Sequence, residues 1–185
     1  MEPYPKISQG SILVSEPFLN DPYFKRSVVL IAEEDADGIL GFILNKPLKI
    51  NITDIMNDFP EFTSPAYFGG PVQTEDLFYV HTINNLKDAQ KITDNIYFGG
   101  SYEQLKLMVD IGKILPHMIS FFVGYSGWDT GLIAQELAEK IWTLSEYNKK
   151  FLFNTDTSNL WTAVLKSMGG EYSIMANYPE DPQWN

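Results

Sequence analysis

Short runs of β-branched and aromatic residues, broken by turn formers, dominate the first two thirds of the chain. Residues 11–15 (Ser-Ile-Leu-Val-Ser) predict a strand, and residues 16–22 a loop punctuated by Pro and Asn. The continuous apolar run over 27–32 predicts a strand buried on both faces. An acidic turn from Glu33 to Gly38 joins it to a strand over 39–44, so the two read as a hairpin. Further strands are predicted over 66–68, 77–83, 96–98 and 118–125.

Helical spacing enters in four places. A short helix is predicted over 51–59, with Asn51 or Thr53 as its cap and Pro60 beyond its end. Ser101-Tyr102-Glu103-Gln104 has capping-box spacing and opens a helix running to about Gly112. Ile133, Leu137 and Ile141 recur at every fourth position, which predicts a helix over 129–144. Asp129 would cap it, leaving Trp128 just outside as a staple against Ile133. Ser158 caps a last helix carrying Trp161, Val164, Leu165 and Met168, which Gly169-Gly170 end. Residues 171–185 read as an extended tail. Strands crowd the first half and alternate with helices later, and no composition shift marks a boundary. The pattern predicts a mixed α/β (α+β) single domain over 1–185, with one mixed, partly barrel-like sheet and about four flanking helices. Tyr-Phe-Gly-Gly occurs twice, at 67–70 and 97–100, with unmatched flanks, so it reads as a reused strand-end turn.

Charge removes several classes of function. The chain has 13 basic and 24 acidic side chains, a net charge of −11. Such a surface repels phosphate backbones unless its cations cluster. The densest basic pair, Lys149-Lys150, reads as the end of a solvated helix. Neither nucleic acid nor an anionic membrane is therefore expected as a direct partner. Without cysteine there is no disulfide, thiolate nucleophile or Cys-based zinc site. The start, Met-Glu-Pro-Tyr-Pro-Lys, lacks the basic-then-apolar pattern of a signal peptide, and the longest run free of Asp, Glu, Lys and Arg, 114–128, is too short to span a bilayer. The cytoplasm is the expected location.

Each candidate for chemistry has a structural rival. Gly124-Tyr125-Ser126-Gly127-Trp128 approximates a nucleophile elbow, but Trp128 stands where that turn requires Gly, and His81 and His117 both precede Ser126. Glu33, Asp35, Asp37 and Gly38 mimic the start of an EF-hand loop, but Leu44 stands at the position of the bidentate Glu, so a charged hairpin turn is the better reading. The histidines are too far apart to suggest metal-ligand spacing. His81, in an aromatic strand, fits a hydrogen-bonded structural role better than that of a general base. The two Gly-Gly turns could admit an anion, Gly99-Gly100-Ser101 being the better placed. Arg26 fits pairing with Asp21 better than an anion-binding role in a cleft.

Taken in order, several segments resemble the YqgE/AlgH family of small bacterial proteins, from about Gly10 to Trp142. They are Asp21-Pro22-Tyr23-Phe24-Lys25-Arg26-Ser27-Val28-Val29-Leu30, Gly38-Ile39-Leu40-Gly41-Phe42-Ile43-Leu44-Asn45-Lys46-Pro47, Phe68-Gly69-Gly70-Pro71-Val72, His81 and Gly124-Tyr125-Ser126-Gly127-Trp128. The chain departs from the family pattern at Lys46, where Arg is favoured, and at Leu132-Ile133-Ala134, where Gln-Leu-Glu is favoured. The resemblance implies a compact α/β domain with a partly barrel-like sheet and no established activity; some members carry the label of transcriptional regulator. The first expectation is a non-enzymatic binding or regulatory protein without cofactor or metal. It would meet a small ligand or protein partner through Arg26, Asn45, Gly69, Gly70, His81, Tyr125 and Trp128. The alternatives are a transcriptional regulator and an enzyme using His81 with Arg26 or Asn45. One outcome follows from charge alone: the purified protein should leave duplex DNA unshifted in a gel titration at about 0.15 M salt. A specific sub-micromolar complex there would refute it.

Overall fold

The β-branched run after Ser27 does bury both faces. In β2 (Val28–Glu34), Val28, Leu30 and Ala32 enter one apolar cluster, while Val29 and Ile31 enter another on the opposite face. The computed structural model describes residues 7–129, 131–153 and 156–180. The expectations for residues 1–6 and for the tail beyond residue 180 lie outside them.

β1 (Ile12–Ser15) and β3 (Gly38–Ile43) pair antiparallel with β2 on either side. The acidic turn between β2 and β3 closes on itself: the Asp35 carboxylate accepts the Asp37 and Gly38 amides at 2.8 and 3.1 Å. The chain continues through β4 (Pro47–Asn51), α1 (Ile52–Ile55), β5 (Pro65–Phe68) and β6 (Val72–His81). After these come β7 (Gln90–Thr93), β8 (Ile96–Phe98), α2 (Tyr102–Asp110) and β9 (Ile119–Asp129). α3 (Leu132–Ala138), β10 (Trp142–Ser145), α4 (Lys149–Leu152), α5 (Leu160–Met168) and α6 (Gly170–Met175) complete it. Ten strands form one mixed sheet, in the order β10-β1-β2-β3-β9-β6-β8-β7, with the β4–β5 pair attached to β9. Among the described residues only the β5–β9 pair is parallel. The sheet curls but does not close: Thr93, at the end of β7, lies against Gly10 ahead of β1, while no ladder joins them. Among the described residues, β10, β7 and the outer side of β4 are its free edges.

Helices cover both faces. α5 lays Trp161, Val164 and Leu165 on the Val14, Leu30 and Phe122 face. α3 packs Ile133 on Leu13, Val29 and Trp128, and α2 packs Leu105 and Val109 on Phe121. Phe42 anchors the center, its ring 5.0 Å from that of Phe122 and 5.7 Å from that of Phe78.

Several elements differ from the periodicity reading. The helix expected over 129–144 divides in two. Asp129 remains in β9, and Gly131, at φ 88°, is the N-cap. Lys140, at φ 59°, then ends the helical course, and Trp142–Ser145 pairs with β1. Ile141 still packs in the cluster of Ile133, so the spacing was apolar but only half helical. α1 stops at Ile55, and β4 and β7 are strands that the polar composition of their segments concealed. Asn159 rather than Ser158 caps α5, and Lys149 and Lys150 open a helix rather than end one. The segment read as an extended tail begins with α6, which starts afresh after Gly169 because Ala176 and Tyr172 still have core to bury.

The center of the sheet imposes one unusual constraint. Residues Phe121–Val123 of β9 pair with β5 on one edge and with β6 on the other. The chain from β5 to β6 must therefore cross one face of β9, and it does so at Gly69-Gly70. A Cβ at Gly69 would lie 2.2 Å from the Gly124 carbonyl oxygen, and one at Gly70 2.2 Å from the Tyr125 carbonyl carbon. A Cβ at Gly124 would lie 2.5 Å from the Gly70 oxygen. Backbone meets backbone there, so no side chain can move aside. Gly69→Ala should cost at least about 2 kcal/mol, because the clash falls on paired strands. A denaturant midpoint equal to that of the wild type would refute the crossing constraint.

Candidate functional site

The polar atoms that suggested chemistry are mostly bonded to backbone. His81 ends β6 fully buried. Its Nδ1 accepts the Ile83 amide at 3.1 Å, so Nε2 carries the proton and donates to the Gly99 carbonyl at 2.9 Å. Burial pushes its pKa below the usual histidine value, outweighing those two backbone bonds. This is a neutral ring with neither nitrogen free. Ser126 is likewise buried, and its hydroxyl donates to the Gly69 carbonyl at 3.0 Å, locking the crossing from the side. No histidine faces it, which leaves the elbow-like motif without a base. His117 is exposed in a turn of 3-10 helix, Pro116–Met118.

Asn45 fastens the start of β2. Its side-chain oxygen accepts the Val28 amide at 2.9 Å and its amide nitrogen donates to the Arg26 carbonyl at 2.8 Å. Arg26 does not pair with Asp21, whose carboxylate instead accepts the Tyr23 and Phe24 amides at 2.8 and 2.9 Å. That turn leaves Asp21 committed to its own loop. The Arg26 guanidinium lies 4.6 Å over the Trp161 ring and donates to the Tyr178 carbonyl at 2.6 Å.

Trp128 is buried, 6% exposed, but not as a staple ahead of a capped helix. It is a β9 residue opposite Ile39, and its indole N–H donates to Glu136 of α3 at 2.8 Å. The same carboxylate oxygen accepts the Trp142 indole N–H at 2.8 Å, and the two rings meet edge-on at 5.9 Å. Phe24 closes the group from the loop before β2. Glu136 and Trp142 carry no local signal; only the pairing of β10 with β1 brings them here.

The seven candidates therefore do not form one site. Arg26 and Asn45 meet, and Gly70 lies against Tyr125 while Gly69 lies against Gly124. His81 pairs with Ile119, nine residues from Trp128 along β9, a distance on the order of 30 Å. Tyr125 and Trp128 alone share an open depression of about 370 Å³ beside the β2–β3 hairpin. Leu40, Ile39 and Val72 supply its apolar wall, and Glu33, Asp35, Asp37 and Asp129 its rim. Among the described residues no group of three His, Asp or Glu side chains could hold a metal ion, and no helix is long and apolar enough to cross a membrane.

A family model described as AlgH-like matches residues 12–173. The chain belongs to the AlgH-like family. Relatives called UPF0301 proteins agree along nearly the whole length. That of Bacteroides thetaiotaomicron is 37% identical over 179 residues, 96% of this chain and 91% of that one. That of Cytophaga hutchinsonii is 37% identical over 181 residues, 97% of this chain and 100% of that one. Among solved structures, protein DIP2367 from Corynebacterium diphtheriae has a TM-score of 0.79 at 18% identity, covering 96% of this chain and 95% of that one. The AlgH protein from Pseudomonas aeruginosa has a TM-score of 0.74 at 22% identity, covering 97% and 98%. These two likenesses establish the fold, and the family itself is one of uncharacterised function.

In this AlgH-like chain, the buried neutral ring of His81 links stability to pH. The unfolded histidine takes up a proton below about pH 6.5 while the folded one resists it. The contribution of His81 is therefore complete above that pH and is lost as pH falls toward its depressed folded value. Melting temperature should decline from about pH 7.5 to about pH 5.5, and the decline should be shallower in His81→Gln. Equal slopes in the two proteins would refute this role.

Proposed function

We propose that this AlgH-like chain is a non-enzymatic, cytoplasmic binding protein whose partner is another protein. The partner presents a Lys- or Arg-bearing segment with an apolar side chain to the depression beside Tyr125 and Trp128. One observation carries the reading: an apolar wall of Leu40, Val72 and Tyr125 lies under a rim of four carboxylates, Glu33, Asp35, Asp37 and Asp129. Complementary charge sets the encounter rate and register of such a contact, and the apolar wall supplies the affinity. The bound states of His81, Asn45 and Ser126 support binding over catalysis, since each would have to give up a backbone partner to act on a substrate. Any effect on transcription then runs through a protein contact, because a net charge of −11 opposes DNA.

An N-acetylated, C-amidated peptide of alternating Lys and Leu serves as the probe in an amide-detected NMR titration. Shifts should concentrate at Gly38, Gly127 and the Trp128 indole. Replacing Asp35, Asp37 and Asp129 together by Asn should weaken binding at least about tenfold with the melting temperature retained. Shifts spread evenly over the acidic surface, or an unchanged affinity in the triple variant, would overturn the proposal.

A further inference from the structure

The three cations Lys25, Arg26 and Lys46 gather at one corner of a chain whose charge is otherwise strongly acidic. The Lys46 ammonium is half-buried and donates to the Lys25 carbonyl at 2.6 Å. Burial lowers its pKa and Lys25 adds to that, while the Glu180 carboxylate opposes both. Arg26 holds a left-handed backbone, φ 48°, that non-glycine residues adopt rarely. Its guanidinium rests on the buried Trp161 ring, and its Nε is buried without a hydrogen-bond partner. Among the described residues no ion pair involves Arg26. A half-buried guanidinium whose Nε donor is unmet is an incomplete site for an oxyanion.

What covers this corner is the chain's own C-terminal segment. Ala176 is buried in the main apolar cluster and anchors it. Beyond that anchor, Tyr178 offers its carbonyl to Arg26 and stacks its ring on that of Phe18 at 5.6 Å. Both rings remain exposed, at 38% and 42%. Glu180 brings a carboxylate toward Lys46. The segment thus presents a carbonyl, an aromatic ring and a carboxylate to a guanidinium, a ring and an ammonium, as an acidic peptide docked in trans would. It meets the corner through one hydrogen bond, one open stack and the Glu180 carboxylate, while the Asn177 and Tyr178 amides donate to the end of α6 at 3.0 and 3.1 Å. Residues beyond that last turn can therefore leave while Ala176 and α6 stay packed.

We infer that Phe18, Lys25, Arg26, Lys46 and Trp161 form a receptor site for an acidic, aromatic-bearing peptide segment of a partner protein. Residues 177–180 occupy it in this structure as a displaceable strap. The site is separate from the depression beside Tyr125 and Trp128 and does not depend on its role.

The test uses the full chain. The substitutions Tyr178→Ala and Glu180→Lys together remove the stack on Phe18 and the carboxylate facing Lys46, leaving the strap only its backbone bond to Arg26 and so released for exchange, and a fluorescein-labelled, N-acetylated peptide of residues 176–185 is the probe. By fluorescence anisotropy, the released variant should bind the probe at least about tenfold more tightly than the wild type, because a competing occupant lowers apparent affinity by the free fraction. Adding Arg26→Met should remove most of that binding, and about 0.5 M salt should weaken it. Glu180→Lys alone, which keeps the stack on Phe18, should give a smaller gain in the same direction if the double variant fails to fold. Equal affinity for strapped and released chains would overturn the inference. So would no binding to a released chain that melts within a few degrees of the wild type, since the segment would then be structural only. A wild-type dimer that the strap substitutions dissociate would also overturn it, by making a second copy the occupant.

Discussion

Everything at the center of this fold follows from one strand having partners on both edges and a third chain segment lying across its face. β9 can carry β5, β6 and β3 only if the β5–β6 connection passes over it, and that passage leaves no room for a Cβ on either backbone. Three glycines and the buried Ser126 hydroxyl are the local answer. The crossing also sets where the second half of β9 points. It hands Tyr125 and Trp128 to the β2–β3 hairpin and so shapes the depression they line.

Side chains that look chemical serve mainly to close backbone accounts at such junctions. His81 ties β6 to the Gly99 turn, Asn45 ties β3 to the start of β2, and Glu136 holds two indoles with one oxygen. In each case a buried polar group that lost its partner would be costly. A motif shared within a fold can therefore mark a difficult junction as readily as a binding surface. In this protein Tyr125 and Trp128 belong to the strand that makes the junction and also line an open depression.

The strands over 27–32 and 39–44 were legible because both their faces are buried and their composition is strongly apolar. The acidic hairpin turn was legible for a local reason, since Asp35 bonds to amides two and three residues on. What could not be read depended on distant partners. β10 carries residues that fit a helical spacing, and only β1 makes it a strand. Lys91 and Gln90 are exposed edge positions with no apolar alternation to announce β7. Asp21 was the nearest carboxylate in sequence to Arg26, yet the partners of that guanidinium lie more than 130 residues away, at Trp161 and Tyr178. Of the seven candidate residues, the motifs identified the elements but not their separation, because His81, on β6, sits opposite Ile119 at one end of β9 while Trp128 stands near the other end.

The unclosed sheet has a consequence for how the protein behaves when crowded. Among its free edges, β7 and β10 are each four residues long, and β4 has five residues and opens with Pro47. β7 lies between Asp88 and Asn95, both in left-handed conformations, and carries the exposed Lys91–Asp94 ion pair; β10 follows Lys140, also left-handed. An unpaired edge is a template for runaway polymerisation, and brevity, charge and abrupt changes of chain direction blunt it. A sheet that curls without sealing itself thus keeps its ends unsuited to fibril growth.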